Sequence, residues 1–119
     1  MSHGQTFNAV IVPVDGPIQV VPFSGYDDIK AALNDGWLEL IPVGTNFVCY
    51  VDEDGTAKGL RRNERATRIV KAMLCATDRM LIPGDFIKGT AVFTGSDGES
   101  ETDIPADVIL KYFRETVPA

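Results

Sequence analysis

Two adjoining stretches of this chain carry residues whose types and spacing could do chemistry. The first, Asp52-Glu53-Asp54-Gly55-Thr56, follows directly on the apolar run that ends at Val51. Aspartates at i and i+2 beyond a strand end can serve phosphoryl transfer. The first attacks phosphorus, the second handles the leaving-group proton, and a magnesium ion beside them offsets the phosphate charge. The second stretch holds Arg61, Arg62, Asn63, Arg65 and Arg68. Guanidinium groups at a helix start, next to backbone N–H groups with no partner inside the helix, favour phosphate or carboxylate. Six of the eleven basic residues, Lys58, Arg61, Arg62, Arg65, Arg68 and Lys71, fall in this region, with Glu64 the one acid among them.

The aspartate pattern resembles the nucleophile motif of haloacid-dehalogenase-type phosphatases. Such enzymes need a parallel sheet whose later strands deliver a Ser or Thr, a Lys and a further acidic pair, and 119 residues leave little room for it. A tight turn accounts for the same letters, because Asp and Gly tolerate the positive φ that turns require. A calcium loop fits poorly, since the twelfth position from Asp52 is Asn63 rather than a bidentate Glu. The turn is the preferred reading. A small magnesium-dependent phosphohydrolase using Asp52 and Asp54 is the alternative.

Arginines at a helix start oppose the macrodipole, at about 0.3–1 kcal/mol each when exposed. That cost directs attention to a bound anion, an acidic partner surface, or the chain's own Asp52, Glu53 and Asp54; a solvated face with internal ion pairs explains the run equally. Asn63 is placed either to cap the helix or to contact a ligand. Elsewhere the chemistry is thin. The one histidine, His3, sits in a polar terminus. Cys49 shares the alternation of Phe47 and Val51 and reads as a small core residue, while Cys75 falls off the apolar face of its helix.

These stretches need elements to position them. Phe7–Val14 and Ile18–Phe23 are β-rich and separated by Asp15-Gly16-Pro17, which predicts an opening hairpin. Ser24 and Asp27 resemble a capping box before a short helix carrying Tyr26, Ile29, Ala32 and Leu33, which Gly36 should stop. Trp37–Ile41 and Asn46–Val51 form a second strand pair. Ala66, Ile69, Val70, Met73 and Leu74 then recur at helical spacing behind Asn63, with the basic residues on the other side. Met80–Ile82 and Phe86–Thr94 read as strands around a Pro83-Gly84-Asp85 turn, and Gly95–Thr102 as a polar loop. A last helix capped by Thr102 or Asp103, with Pro105 in its first turn, presents Val108, Ile109, Tyr112 and Phe113 to the core. The order β-β-α-β-β-α-β-(β)-α contains hairpins and no repeated βαβ unit. It predicts one α+β domain over residues 1–119, with the first six frayed. We expect a largely antiparallel mixed sheet of five to six strands and about three helices packed mainly on one face.

A formal net charge of -6 disfavours non-specific attraction to phosphate backbones or anionic membranes, so nucleic acid is not the expected partner. The acids Asp97, Glu99, Glu101, Asp103 and Asp107 are too few for a DNA mimic and read as a solvated loop. No apolar run approaches the ~20 residues that span a bilayer, and the N-terminus has no leader pattern, which predicts a cytoplasmic chain.

The ordered series Gly36-Trp37-Leu38-Glu39, Asp52-Glu53-Asp54-Gly55, Gly59-Leu60-Arg61-Arg62-Asn63-Glu64-Arg65-Ala66-Thr67 and Ile87-Lys88-Gly89-Thr90-Ala91-Val92 resembles a domain-of-unknown-function family of small phage, plasmid and actinobacterial proteins. Members carry an Asn at the position of Asp52 and a proline at the position of Arg61, so this chain departs there. The resemblance implies an accessory protein of a phage or mobile element and no transferable activity. The leading expectation is a non-catalytic module, without cofactor or metal, that binds a host macromolecule or a small nucleotide-like anion. Its wall would be Arg61, Arg62, Asn63, Arg65 and Arg68. Self-association through a sheet edge or helix is also expected.

Overall fold

A computed structural model describes residues 6–33, 38–55, 58–76, 86–113 and, for the backbone, 116–118. The chain runs β1 (Phe7–Val12), β2 (Ile18–Phe23), α1 (Tyr26–Ala32), β3 (Leu38–Pro42), β4 (Phe47–Asp52), α2 (Glu64–Cys75), β5 (Ala91–Ser96), β6 (Glu101–Thr102), α3 (Ala106–Tyr112) and β7 (Thr116–Pro118). The strands form one sheet in the order β3-β4-β5-β1-β2-β7, with β6 beside β5. Every pairing is antiparallel except β2 with β7, so the fold is the expected α+β, largely antiparallel and mixed. The short strands β6 and β7 are the elements added to the expected order.

Alternation along the strands divides the interior into two cores, because successive side chains of a strand point to opposite faces. Val10 and Val12 of β1, Cys49 and Val51 of β4, and Ala91 and Phe93 of β5 meet Ala66, Val70, Met73 and Leu74 of α2 and Val108 of α3. Phe7 and Ala9, Val48 and Tyr50, and Val92 lie on the opposite face against Ile29 of α1 and Leu33. Helices α2 and α3 therefore share one face, the mainly one-sided packing expected, while α1 covers the other. The cause is visible in β1 and β5, whose inward and outward positions are both mainly apolar; such strands need cover on two sides.

Local differences have local causes. The Gly95–Thr102 loop is mostly a hairpin, since β5 extends to Ser96 and pairs with β6. Only residues 97–100 turn, with Asp97 Oδ1 accepting from the N–H groups of Glu99 and Ser100 at 2.9 and 2.8 Å and Gly98 at φ +96°. Residues 86–90 stay outside β5 because Gly89 sits at φ +79°, where the extended path breaks. Helix α3 starts behind Pro105, not Thr102 or Asp103. Asp103 instead accepts from the Asn8 N–H at 2.7 Å, tying the α3 lead-in to β1. At α1, Gly25 is the cap residue, and the Ser24 N–H and hydroxyl both donate to Asp28 rather than pairing with Asp27. The expected Met80–Ile82 strand, the Pro83–Asp85 turn, Trp37 and the Gly36 stop lie outside the described residues. Among the described residues, no helix is long and apolar enough to cross a membrane.

Candidate functional site

The site is built at the start of α2 by one side chain. Asn63 is fully buried, and its extended backbone ends the preceding segment before the helix begins. Its Oδ1 accepts from the Ala66 N–H at 2.9 Å, which satisfies one of the amides that a helix start leaves unpaired. Its Nδ2 donates to the carbonyls of Val12 at 2.8 Å and Gly89 at 2.9 Å. The main chain joins in: Asn63 N–H donates to Ile87 O at 2.7 Å, and Asn63 O accepts from Thr67 N–H at 2.9 Å. Thr67 Oγ1 accepts from Ile87 N–H at 2.9 Å, and Gly89 N–H donates to Arg61 O at 2.8 Å. A side chain at Gly89 would be strained by its positive φ and would press on Leu60 Cδ1. Thus the end of β1, the start of α2 and the 87–89 segment are held together by buried hydrogen bonds. Of the five residues singled out in the basic run, Asn63 is the interior one, with each side-chain donor and acceptor engaged.

The arginines around it face outward. Arg61, Arg62, Glu64 and Arg65 line a depression of about 440 Å³ whose far side is Asp15 and Gly16 of the β1–β2 turn. Arg61 pairs with Asp15, and both side chains are mostly exposed, at 72% and 74%. Arg65 donates to Pro13 O at 2.6 Å, which anchors it across the gap to the hairpin. The Arg62 guanidinium lies 3.9 Å from the Phe86 ring centroid, and Lys71 Nζ lies 5.6 Å from the same ring. Arg68 falls outside this depression and into a neighbouring one of about 240 Å³, where it is joined by Ile69, Lys111 and Tyr112; Arg65 lines both. The structure thus brings Arg61, Arg62 and Arg65 together and sets Arg68 one helical turn further along.

The acidic turn is arranged differently. Asp52 ends β4 and is only 8% exposed. Its Oδ1 accepts from the Asp54 N–H at 2.8 Å and its Oδ2 from Lys58 Nζ at 2.7 Å. Burial by itself pushes this carboxyl up, but the bonds from Lys58 and Asp54 outweigh it and hold the group below its ordinary value. Further turns follow, with Gly55 N–H on Asp52 O and Leu60 N–H on Gly55 O. Both oxygens of Asp52 are therefore engaged in shaping the chain between β4 and α2, and neither Asp52 nor Asp54 lines the two depressions. Among the described residues, no group of three or more His, Cys, Asp or Glu side chains could hold a metal ion. Cys49 is buried, and burial pushes its thiol far up, away from the reactive thiolate. Cys75 is exposed.

Residues 7–116 match the family model of a domain of unknown function, DUF3846. The chain belongs to this family. No curated protein matches it, and no solved structure does. For this DUF3846 member the match spans every element from β1 to the start of β7, so the Asn63 clamp and both depressions lie inside the family domain.

Two participants escaped the sequence reading. Asp15 looked like a turn residue only, and the pairing of β1 with β2 is what places it opposite Arg61. Lys111 lies 43 positions beyond Arg68, and only the docking of α3 beside α2 brings it near. Neither has a local signal, because both meetings depend on long-range packing.

Replacing Asn63 by Ala removes a cap, at about 0.5–2 kcal/mol, and leaves buried carbonyls of Val12 and Gly89 without their donor, at about 1–3 kcal/mol each. Urea unfolding of Asn63→Ala should therefore show a loss on the order of 3 kcal/mol, of which Asn63→Ser, still able to cap, recovers only part. Asp52 gives a pH signature. Its folded pKa lies below its ordinary value of 3.8, so its contribution is complete above that value and disappears as pH falls through the folded one. The stability difference between the natural chain and Asp52→Asn should be largest near pH 7 and shrink toward pH 3.

Proposed function

We propose that this protein is a non-catalytic binding module that takes a small phosphate-bearing anion, nucleotide-like in character, in the depression walled by Arg61, Arg62 and Arg65. The observation that carries this reading is that three arginines, Arg61, Arg62 and Arg65, line one hollow. A locally positive hollow on a chain of net charge -6 is selective, because the surrounding field repels anions that lack several contacts at once. Arg61 and Asp15 form an exposed pair, and such pairs contribute little, about 0.2–1 kcal/mol, so an entering phosphate can displace the carboxylate. Asn63 acts here by position, holding the wall in place from the interior.

The family resemblance supports an accessory role for a phage or mobile-element protein in the host cytoplasm. A host macromolecule with an acidic patch is the other occupant of the same wall. The phosphohydrolase alternative gains no support from the arrangement of Asp52 and Asp54.

Thermal unfolding in inorganic pyrophosphate and in ATP tests the reading. The midpoint should rise with ligand and the rise should vanish in Arg62→Ala and in Arg65→Ala. Asp15→Ala, which removes the competing carboxylate, should tighten binding a few-fold. An unchanged midpoint with both ligands contradicts the proposal. Magnesium-dependent hydrolysis of a phosphate ester that disappears in Asp52→Asn would replace it with the enzyme.

A further inference from the structure

The second depression has a different chemistry from the first. Its floor is apolar, made by Ile18 at the start of β2, Ile69 of α2 and Tyr112 of α3, and its cations are Arg65, Arg68 and Lys111. Among the described residues, no carboxylate lines it, whereas Asp15 and Glu64 line its neighbour. Among the described residues, Arg68 and Lys111 have no acidic partner. Cations gathered round such a hollow repel one another, and the aliphatic lining of Ile18 and Ile69 offers them no attraction. They are favourable beside a flat π system, whose face attracts a guanidinium or ammonium group. Lys111 Nζ already stands 5.3 Å from the Tyr112 ring centroid, in that relation. The hollow has a volume of about 240 Å³. Arg65 lines both depressions, so the two adjoin.

We propose that the second depression receives the base of a mononucleotide whose phosphates occupy the first. This rests on the anion-binding reading above and adds a subsite, with Tyr112 stacking on the base and Arg68 and Lys111 over its face or edge. The ligand class is then a nucleoside polyphosphate rather than free phosphate.

Isothermal titration of the full chain with ATP, GTP and inorganic tripolyphosphate at one salt concentration separates the two statements. Stacking on an aromatic ring should make at least one nucleotide bind about fivefold or more tightly than tripolyphosphate. That advantage should be lost in Tyr112→Leu and reduced in Lys111→Gln, while tripolyphosphate affinity changes less than about twofold in either. Lys111 is exposed, so its substitution keeps the test open if Tyr112→Leu fails to fold. Equal affinity for tripolyphosphate and nucleotides overturns the base subsite and leaves the anion site standing. An advantage that survives both substitutions places the base elsewhere and overturns it too. No binding of any of the three overturns both readings.

Discussion

A single buried amide organises this molecule. Asn63 sits where three segments distant in sequence meet, and among the described residues it is the one side chain that bonds to all of them: β1 through Val12 O, the 87–89 segment through Gly89 O, and α2 through Ala66 N–H. Each partner is a backbone group at the end of an element, where secondary structure no longer satisfies it. Left unpaired in the interior, such groups are costly, and a carboxamide is suited to the place because it donates twice and accepts. An aspartate would offer no donors to the two carbonyls, and a leucine would satisfy none of the three. The 87–89 segment can come close because Gly89 adopts a positive φ, and Thr67 adds a second tie to it one turn into the helix.

The functional consequence is electrostatic. Arg61, Arg62 and Arg65 flank the clamp in sequence, so fixing Asn63 fixes the backbone from which they project. Flexible cations at a helix start would spread into solvent to relieve their mutual repulsion and their conflict with the helix dipole. Here Arg65 is drawn across to Pro13 O, Arg62 is stacked on Phe86, and Arg61 is paired with Asp15. The entropy of ordering the wall is thereby met partly by folding, which on the proposed reading would leave less to be met on binding. The acidic turn before them serves the same end. Asp52 and Lys58 shape the connection from β4 to α2, so the part of the sequence that most resembles catalysis is architectural.

The parts that the sequence disclosed were those set by local rules. Asn63 before a run at i, i+3, i+4 and i+7 marks a capped amphipathic helix, and the cap and buried stripe are where those rules place them. The turns at Asp15-Gly16 and after Asp52 follow from residues that tolerate positive φ or accept from neighbouring amides. What could not be read locally is which face each helix covers, since the near-continuous apolar runs of β4 and β5 say that both faces are covered without saying what lies on either. Asp103 illustrates the limit. Its side chain suits a cap, yet Asn8, 95 positions away, claims it. Asn63 shows the same competition from the other direction: it caps as expected, but its amide donors serve two strands' worth of chain that no helix rule mentions. Asn63, Ala66 and Thr67, all within the series that carries the family resemblance, lie buried in the clamp.

The Asn63 carboxamide is sealed inside the folded chain and released only when the clamp opens. Hydrogen exchange of its side-chain NH2, followed by NMR together with the Ala66 amide, addresses this directly. The account predicts that both exchange slowly, with an opening free energy close to that of global unfolding. Exchange of the Asn63 NH2 at the rate of a solvent-exposed asparagine, while the core of β5 remains protected, would contradict it.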